Sequence, residues 1–300
     1  MSHQQQTRAG LAILRVLGAV CVVGWVLTPI GLAQPAAPAP AAPASPPVFR
    51  WQAGEQIRYK LEHITQASDT QPDGTTNHTA THLWLTRRWT VQAVEANGNA
   101  RVQLTLEKLK IVITRPDKTQ LAYDSEDTAM TQSELHKEMG RYVGGVLAEL
   151  VVDPRGLVVN VVKSEHGPGS RFEADLPFKL TLPTVPLAEK QAWTRNYHIT
   201  LEPPGGKGEK IPARQEYLCK GFNGTLALVH LRTQVEVPAN FPAVEQIPLL
   251  TFQPEGDIFF NVQTGRYQGA RLKVERELKN HRGEGSTFRY SSTFTEDLID

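Results

Sequence analysis

Between Arg88 and Thr114, apolar and polar residues alternate on both sides of Asn97-Gly98. Trp89-Thr-Val-Gln-Ala-Val leads into the turn, and Ala100-Arg-Val-Gln-Leu-Thr-Leu leaves it. Asn-Gly tolerates positive φ at both central positions, and strict alternation marks a strand with one buried face. A hairpin is therefore predicted here. Its return arm changes phase: Ala100, Val102, Leu104 and Leu106 share one side, whereas Leu109, Ile111 and Ile113 share the other. One strand buries both sets on one face only if a bulge lies between them, near Glu107-Lys108. Bent strands let a sheet curl around its own apolar face. The predicted class is mainly β, a large curled antiparallel sheet or half-barrel.

The remaining chain fits this frame. Ile57, Tyr59, Leu61 and His63 alternate in a first strand, and Trp84 and Trp89 lie on the second. Thr131-Gln-Ser-Glu134 has capping-box form. It opens a short helix from Gln132 to Val143 with an apolar stripe of Leu135, Met139 and Val143, expected against the concave face of the sheet. Asp153-Pro154-Arg-Gly156 suits a type I turn. Its two arms, Val146 to Val152 and Leu157 to Val162, are apolar enough for strands buried on both faces. The Gly- and Pro-rich stretch from Ser164 to Leu187 reads as an irregular crossover. Beyond it the pattern returns. Trp193 to Ile199 echoes the first strand, and Asn223-Gly224 and Gln263-Thr-Gly265 mark two more hairpins. The folded domain is thus expected over 48–300, with similar halves at 48–165 and 185–300.

The N-terminus has separate logic. Arg8 and Arg15 precede an apolar run from Val16 to Leu27, followed by Pro29 and then Gly31-Leu-Ala33. That is the layout of a signal peptide over 1–33, cleaved after Ala33. The alternative is an uncleaved anchor, but the run is short for the ~20 residues that span a bilayer. The Ala- and Pro-rich tract 34–47 is a tether. Export to the periplasm or cell envelope follows, with membrane contact only through the signal segment if it is retained.

Charge and motifs narrow the function. The chain carries 32 basic and 31 acidic residues with no basic stripe, which argues against nucleic acid. Cys219 is the one cysteine after the signal, and it sits in an alternating run as a small core residue. His78 and His82 share a strand face but stand about 13 Å apart at ~3.3 Å per residue, too far to share a metal unaided. No nucleophile elbow, phosphate loop or metal motif occurs, so no catalytic, metal or cofactor residue is assigned. The acids at Asp124, Glu126 and Asp127, and at Glu275 and Glu277, read as helix-start and solvated charges. The aromatic set has more slant towards function. Tyr59, Trp84, Trp89 and Trp193, with Leu135 and Met139 of the helix, are the candidate lining of a ligand cavity between sheet and helix.

Several of these stretches occur together behind the tethered export signal. They are Gly54-x-x-Ile-Arg-Tyr59, Trp89-Thr-Val, Asn97-Gly-Asn-Ala100, Tyr123-Asp-Ser125 and Val152-Asp-Pro-Arg-Gly156-Leu-Val158. The combination resembles a group of uncharacterised exported bacterial proteins, a domain of unknown function. In layout, the curled sheet with a helix in its mouth is similar to periplasmic lipoprotein carriers. Neither resemblance brings catalytic residues. The leading expectation is a non-enzymatic envelope protein that binds an apolar ligand or a partner protein on its concave sheet. A scaffolding domain with a filled core is the alternative, and a hydrolase built from scattered acids and histidines stands behind both. N-terminal sequencing of the exported protein is expected to begin at Gln34. A start at Met1, or at an acylated Cys21, would contradict the cleavage.

Overall fold

The structure, a computed structural model, describes residues 45–127, 134–173, 175–202 and 206–299. They form one 12-stranded antiparallel sheet that does not close. The first half supplies β1 (Gln56–Thr70), β2 (Thr76–Val94), β3 (Ala100–Thr114), β4 (Gln120–Asp124), α1 (Glu134–Gly140), β5 (Val146–Val152) and β6 (Val158–Ser164). The second supplies β7 (Ala192–Leu201), β8 (Glu209–Asn223), β9 (Leu226–Val235), β10 (Glu255–Asn261), β11 (Arg266–Lys279) and β12 (Thr287–Leu298). The spatial order is β6-β5-β3-β2-β1-β12-β11-β10-β9-β8-β7, with β4 also paired to β3. The strands of the two halves therefore share one sheet, joined by β1 and β12 at its centre.

The Asn97-Gly98 hairpin joins β2 to β3, with Gly98 at φ 85°. The register slips between Thr86 and Arg87 of β2, which face Lys108 and Leu106, so Glu107 is the extra residue of the bulge. Both apolar sets of β3 then reach the same face: Val102, Leu104 and Leu106 before the bulge, Leu109 and Ile111 after it, all buried. The bulge also divides the far flank of β3. Ala100 to Thr105 pairs with β5, and Lys110 to Thr114 pairs with β4. α1 lies in the connection between β4 and β5. Met139 and Tyr142 are buried there, and Leu135 and Val143 pack half-buried beside them. The capping-box residues 131–133 lie outside the described residues.

The crossover after β6 is structural. A 3-10 turn at Gly169–Phe172 packs against both edge strands, β6 and β7, and so bridges the seam that the curled sheet leaves open. Beyond it Leu176, Phe178, Leu180 and Leu182 are buried in the main core. Backbone carbonyls of this segment accept hydrogen bonds from side chains of β7, β8 and the β5–β6 turn. Tyr217 Oη donates to Lys179 O at 2.7 Å, Trp193 Nε1 to Thr181 O at 2.7 Å, and Arg155 Nε to Leu182 O at 2.8 Å. An irregular chain is tolerated inside because its polar groups are satisfied this way.

One expectation is corrected and one element is added. β6 is an edge strand with Val159 and Val162 exposed, not a strand buried on both faces, because the crossover covers its concave side alone. A second 3-10 segment, Ala243–Phe252, packs Leu249 and Leu250 onto the sheet. Its Pro248 and mixed pattern carry no helical period, and no element was expected there.

Gly156 shows how tight the closed end of the curl is. Its φ is +89°, and a Cβ there would lie 2.5 Å from the Phe49 ring and 2.7 Å from Leu180 O. Gly54 has a similar φ, +84°, with nothing within 4 Å. Gly156→Ala should therefore cost about 1–3 kcal/mol more than Gly54→Ala, the excess being steric. Urea midpoints of the two variants test this, and equal losses would contradict the packing.

Candidate functional site: a cavity under the curled sheet

The concave face carries a cluster of interlocked aromatic side chains and, beside it, a largely aliphatic wall. Phe49 stacks on Trp51 at 5.5 Å and meets Phe260 edge-on at 5.1 Å. Trp89 meets Phe178 edge-on at 5.1 Å, and Trp193 stacks on Tyr217 at 5.2 Å. This cluster fills one end of the curl. Beyond it, Leu61, Leu83, Leu85, Leu104, Leu109 and Ile111 of β1, β2 and β3 form one wall of a cavity of about 520 Å³. Ile199 and Leu201 of β7, Phe252 and Tyr290 line the same space. Exposed Arg141, His166, Glu173 and His198 also line it and mark its mouth. A second concavity, of about 620 Å³, is a groove whose lining includes exposed Gln66, His78, Lys118 and Glu275.

Of the six residues expected to line a cavity, Met139 does so. Tyr59 lies under the sheet centre, 2% exposed, and its hydroxyl donates to Tyr267 O at 3.1 Å. Trp89 and Trp193 belong to the aromatic plug, and Leu135 packs on the core from α1. Trp84 is corrected. The inward phase of β2 is Leu83, Leu85, Arg87, Trp89 and Val91, so Trp84 stands on the outer face, stacked on His82 at 3.4 Å.

The inner face also carries charge. Arg87 is buried, and its Nε donates to Glu296 Oε1 at 2.6 Å. The other Glu296 oxygen accepts from Tyr267 Oη at 2.8 Å. Arg87 Nη1 reaches Asp175 Oδ2 of the crossover at 3.4 Å. Burial opposes the Arg87 charge, and the Glu296 and Asp175 carboxylates outweigh it, so the guanidinium stays charged. Lys179 lines the cavity half-buried, and burial pushes its ammonium below the usual lysine range. Sequence reading missed Arg87, Lys179 and Glu296. The available signal was a charge in the inward phase of an apolar strand, Arg87 between Leu85 and Trp89.

The other polar candidates are accounted for on the surface. His82 Nε2 lies 2.7 Å from Glu62, and His230 Nδ1 lies 2.8 Å from Asp257. Asp124 pairs with Lys110 and Glu277 with Arg289. Cys219 is buried, and burial pushes its thiol up, which disfavours the reactive thiolate. Among the described residues no three His, Cys, Asp or Glu side chains converge as a metal would need.

His63 gives a pH test of the interior. It is fully buried, and burial, then Lys179, then His82 push its pKa down to about 3 from 6.5. Between those values the unfolded chain binds a proton that the folded chain does not. Stability should therefore fall as pH falls through this window, by up to ~1.4 kcal/mol per pH unit. His63→Leu should flatten the slope. Urea midpoints at pH 7 and 4.5 check it, and an unchanged slope would show that His63 is not the group responsible.

No family model matches the chain, and no curated protein matches it. Among solved structures the chain is similar to one of lipovitellin concerned with its lipid–protein interactions. That match has 12% identity and a TM-score of 0.43, and covers 83% of this chain and 25% of that one. The chain thus spans about a quarter of that lipovitellin chain. It is also similar to DynF from the dynemicin biosynthesis pathway of Micromonospora chersina. There the identity is 11% and the TM-score 0.21, with 91% of this chain and 93% of that one covered.

Proposed function

We propose that this is an exported bacterial cell-envelope protein that binds an apolar ligand beneath its curled sheet, without enzymatic chemistry. The cavity is the observation that carries the reading. Packed interiors leave few voids larger than a water molecule, so a filled core does not account for a cavity of about 520 Å³. The space opens to solvent at its mouth, and filled with water it would keep the leucine wall wet at ~25 cal/mol per Å². An apolar occupant removes that cost. The volume falls in the ~300–1,000 Å³ range of ligand sites.

The walls suit such an occupant. One side is aliphatic strand surface, which gives contact without polar demands, and the mouth carries the exposed polar groups. Met139 of α1 and Tyr142 just after it also line the space, so this segment forms part of its cover.

A variant that fills the space separates binding from stability. Leu147 is half-buried on the lining. Leu147→Trp should reduce uptake of a hydrophobic fluorescent dye at least tenfold, with little change in melting temperature. A wild type that binds no dye, and yields no co-purified ligand in native mass spectrometry, would leave the filled scaffold as the better reading.

A further inference from the structure

Apolar walls alone do not explain the cations beside this cavity. Lys179 sits on the crossover between two fully packed residues, Phe178 at 1% and Leu180 at 0% exposure. Its backbone is held by the hydrogen bond from Tyr217. The fixed backbone leaves the Lys179 side chain on the cavity wall, where it makes no hydrogen bond or ion pair with any described residue. An ammonium drawn out of water without a partner is unfavourable.

The nearby carboxylates are already engaged. Glu296 spends one oxygen on Arg87 and the other on Tyr267. Asp175 accepts from Arg87 with one oxygen and from Leu176 N, at 2.8 Å, with the other. On the donor side, Arg87 Nη2 is buried with no partner among the described residues, and so is Arg171 Nε. Both residues belong to the cavity lining. Arg195, the remaining cation close enough to act on Lys179, donates to Phe178 O and Glu173 O instead. Glu138, Glu173 and Glu202 also border the space, but they are half-buried or exposed and none pairs with Lys179. Lys179 is thus left without a direct partner, and the buried donors Arg87 Nη2 and Arg171 Nε are left unused among the described residues.

We propose that the cavity takes a single-chain amphiphile whose anionic head, a carboxylate or a phosphate, docks at Lys179 and Arg87 while its tail lies along Leu61, Leu83 and Leu85. This rests on the apolar-ligand reading above and adds the chemistry of the head. A two-oxygen anion has the acceptors these groups lack: one for the free Arg87 donor and one for the Lys179 ammonium. Recognition in this low-dielectric pocket is worth more than the same contact in water. His63, next to this charge and held neutral, leaves the anion with no competing titration near neutral pH.

The test uses the mature protein and four probes that share one tail: dodecanoate, dodecyl phosphate, dodecanol and dodecyltrimethylammonium. Each displaces a bound fluorescent dye at pH 8, below its micelle concentration. The expected order is anion above alcohol above cation, with at least tenfold between anion and alcohol. Whichever anion binds tighter identifies the head as a carboxylate or a phosphate. Lys179→Met should abolish the anion preference and leave dodecanol affinity unchanged. Arg171→Gln, on the same wall, should weaken the preference should Lys179→Met fail to fold. Equal wild-type affinity for dodecanoate and dodecanol would overturn the anionic head while leaving the apolar site intact. No binding of any probe would overturn the apolar site and this proposal with it.

Discussion

Glu107 is the residue on which the shape of this protein turns. It is the extra residue of the β3 bulge, and its carboxylate lies between two guanidinium groups on the outer face. Arg58 Nε donates to it at 3.0 Å and Arg88 Nη1 at 2.8 Å. Arg58 and Arg88 are themselves register partners on β1 and β2, a like-charge pair that would repel without an anion between them. The carboxylate settles that repulsion and holds the bulge in place. All three groups are partly exposed, so each contact is worth little alone, and the network acts by fixing geometry. From that geometry follow the divided flank of β3, the separation of β4 from β5, and the position of α1 between them.

Near Gly156 large rings interlock and leave no space. Beside that cluster, leucines of β1, β2 and β3 face β7 across a gap. The buried Arg87–Glu296 pair lies on this inner face. Losing one partner of such a pair costs ~3–5 kcal/mol, so its presence weighs more on geometry than on net stability. It ties β2 to β12, one strand beyond β1 on the other side of the central pairing.

Much of this was legible in the sequence, for a physical reason. Turn chemistry and period two are local, so the Asn97-Gly98, Gly156, Asn223-Gly224 and Gly265 hairpins could be read directly, as could the phase flip at Glu107. What lies across a curl is not local. Period two places Trp84 and Trp89 on opposite faces of one strand, and the assumption that all aromatics share the concavity overrode it. The leucine wall looked like ordinary core because every one of its residues is core by hydropathy. Its difference is the gap between it and β7, which no single strand records. Arg87 and Glu296 left a trace, charges in an apolar phase, but their pairing spans most of the chain. The edge position of β6 depends on the crossover, which has no periodicity to read.

One consequence follows from the pairing of β1 with β12. These strands lie side by side at the centre of the sheet, from Tyr59 against Leu298 to Thr70 against Thr287. They are also the earliest and the latest of its strands along the chain. A polypeptide delivered from its N-terminus, by a ribosome or through a pore, presents β1 and β2 long before β12. Until then β1 has one bare edge with its ladder groups unpaired, a surface that invites wrong partners. The central seam is thus the slowest contact by sequence separation, and the one whose closure joins the two halves into one sheet. In chain order this seam is the last contact the sheet can complete, and until β12 is present the open edge of β1 is a place for misassembly.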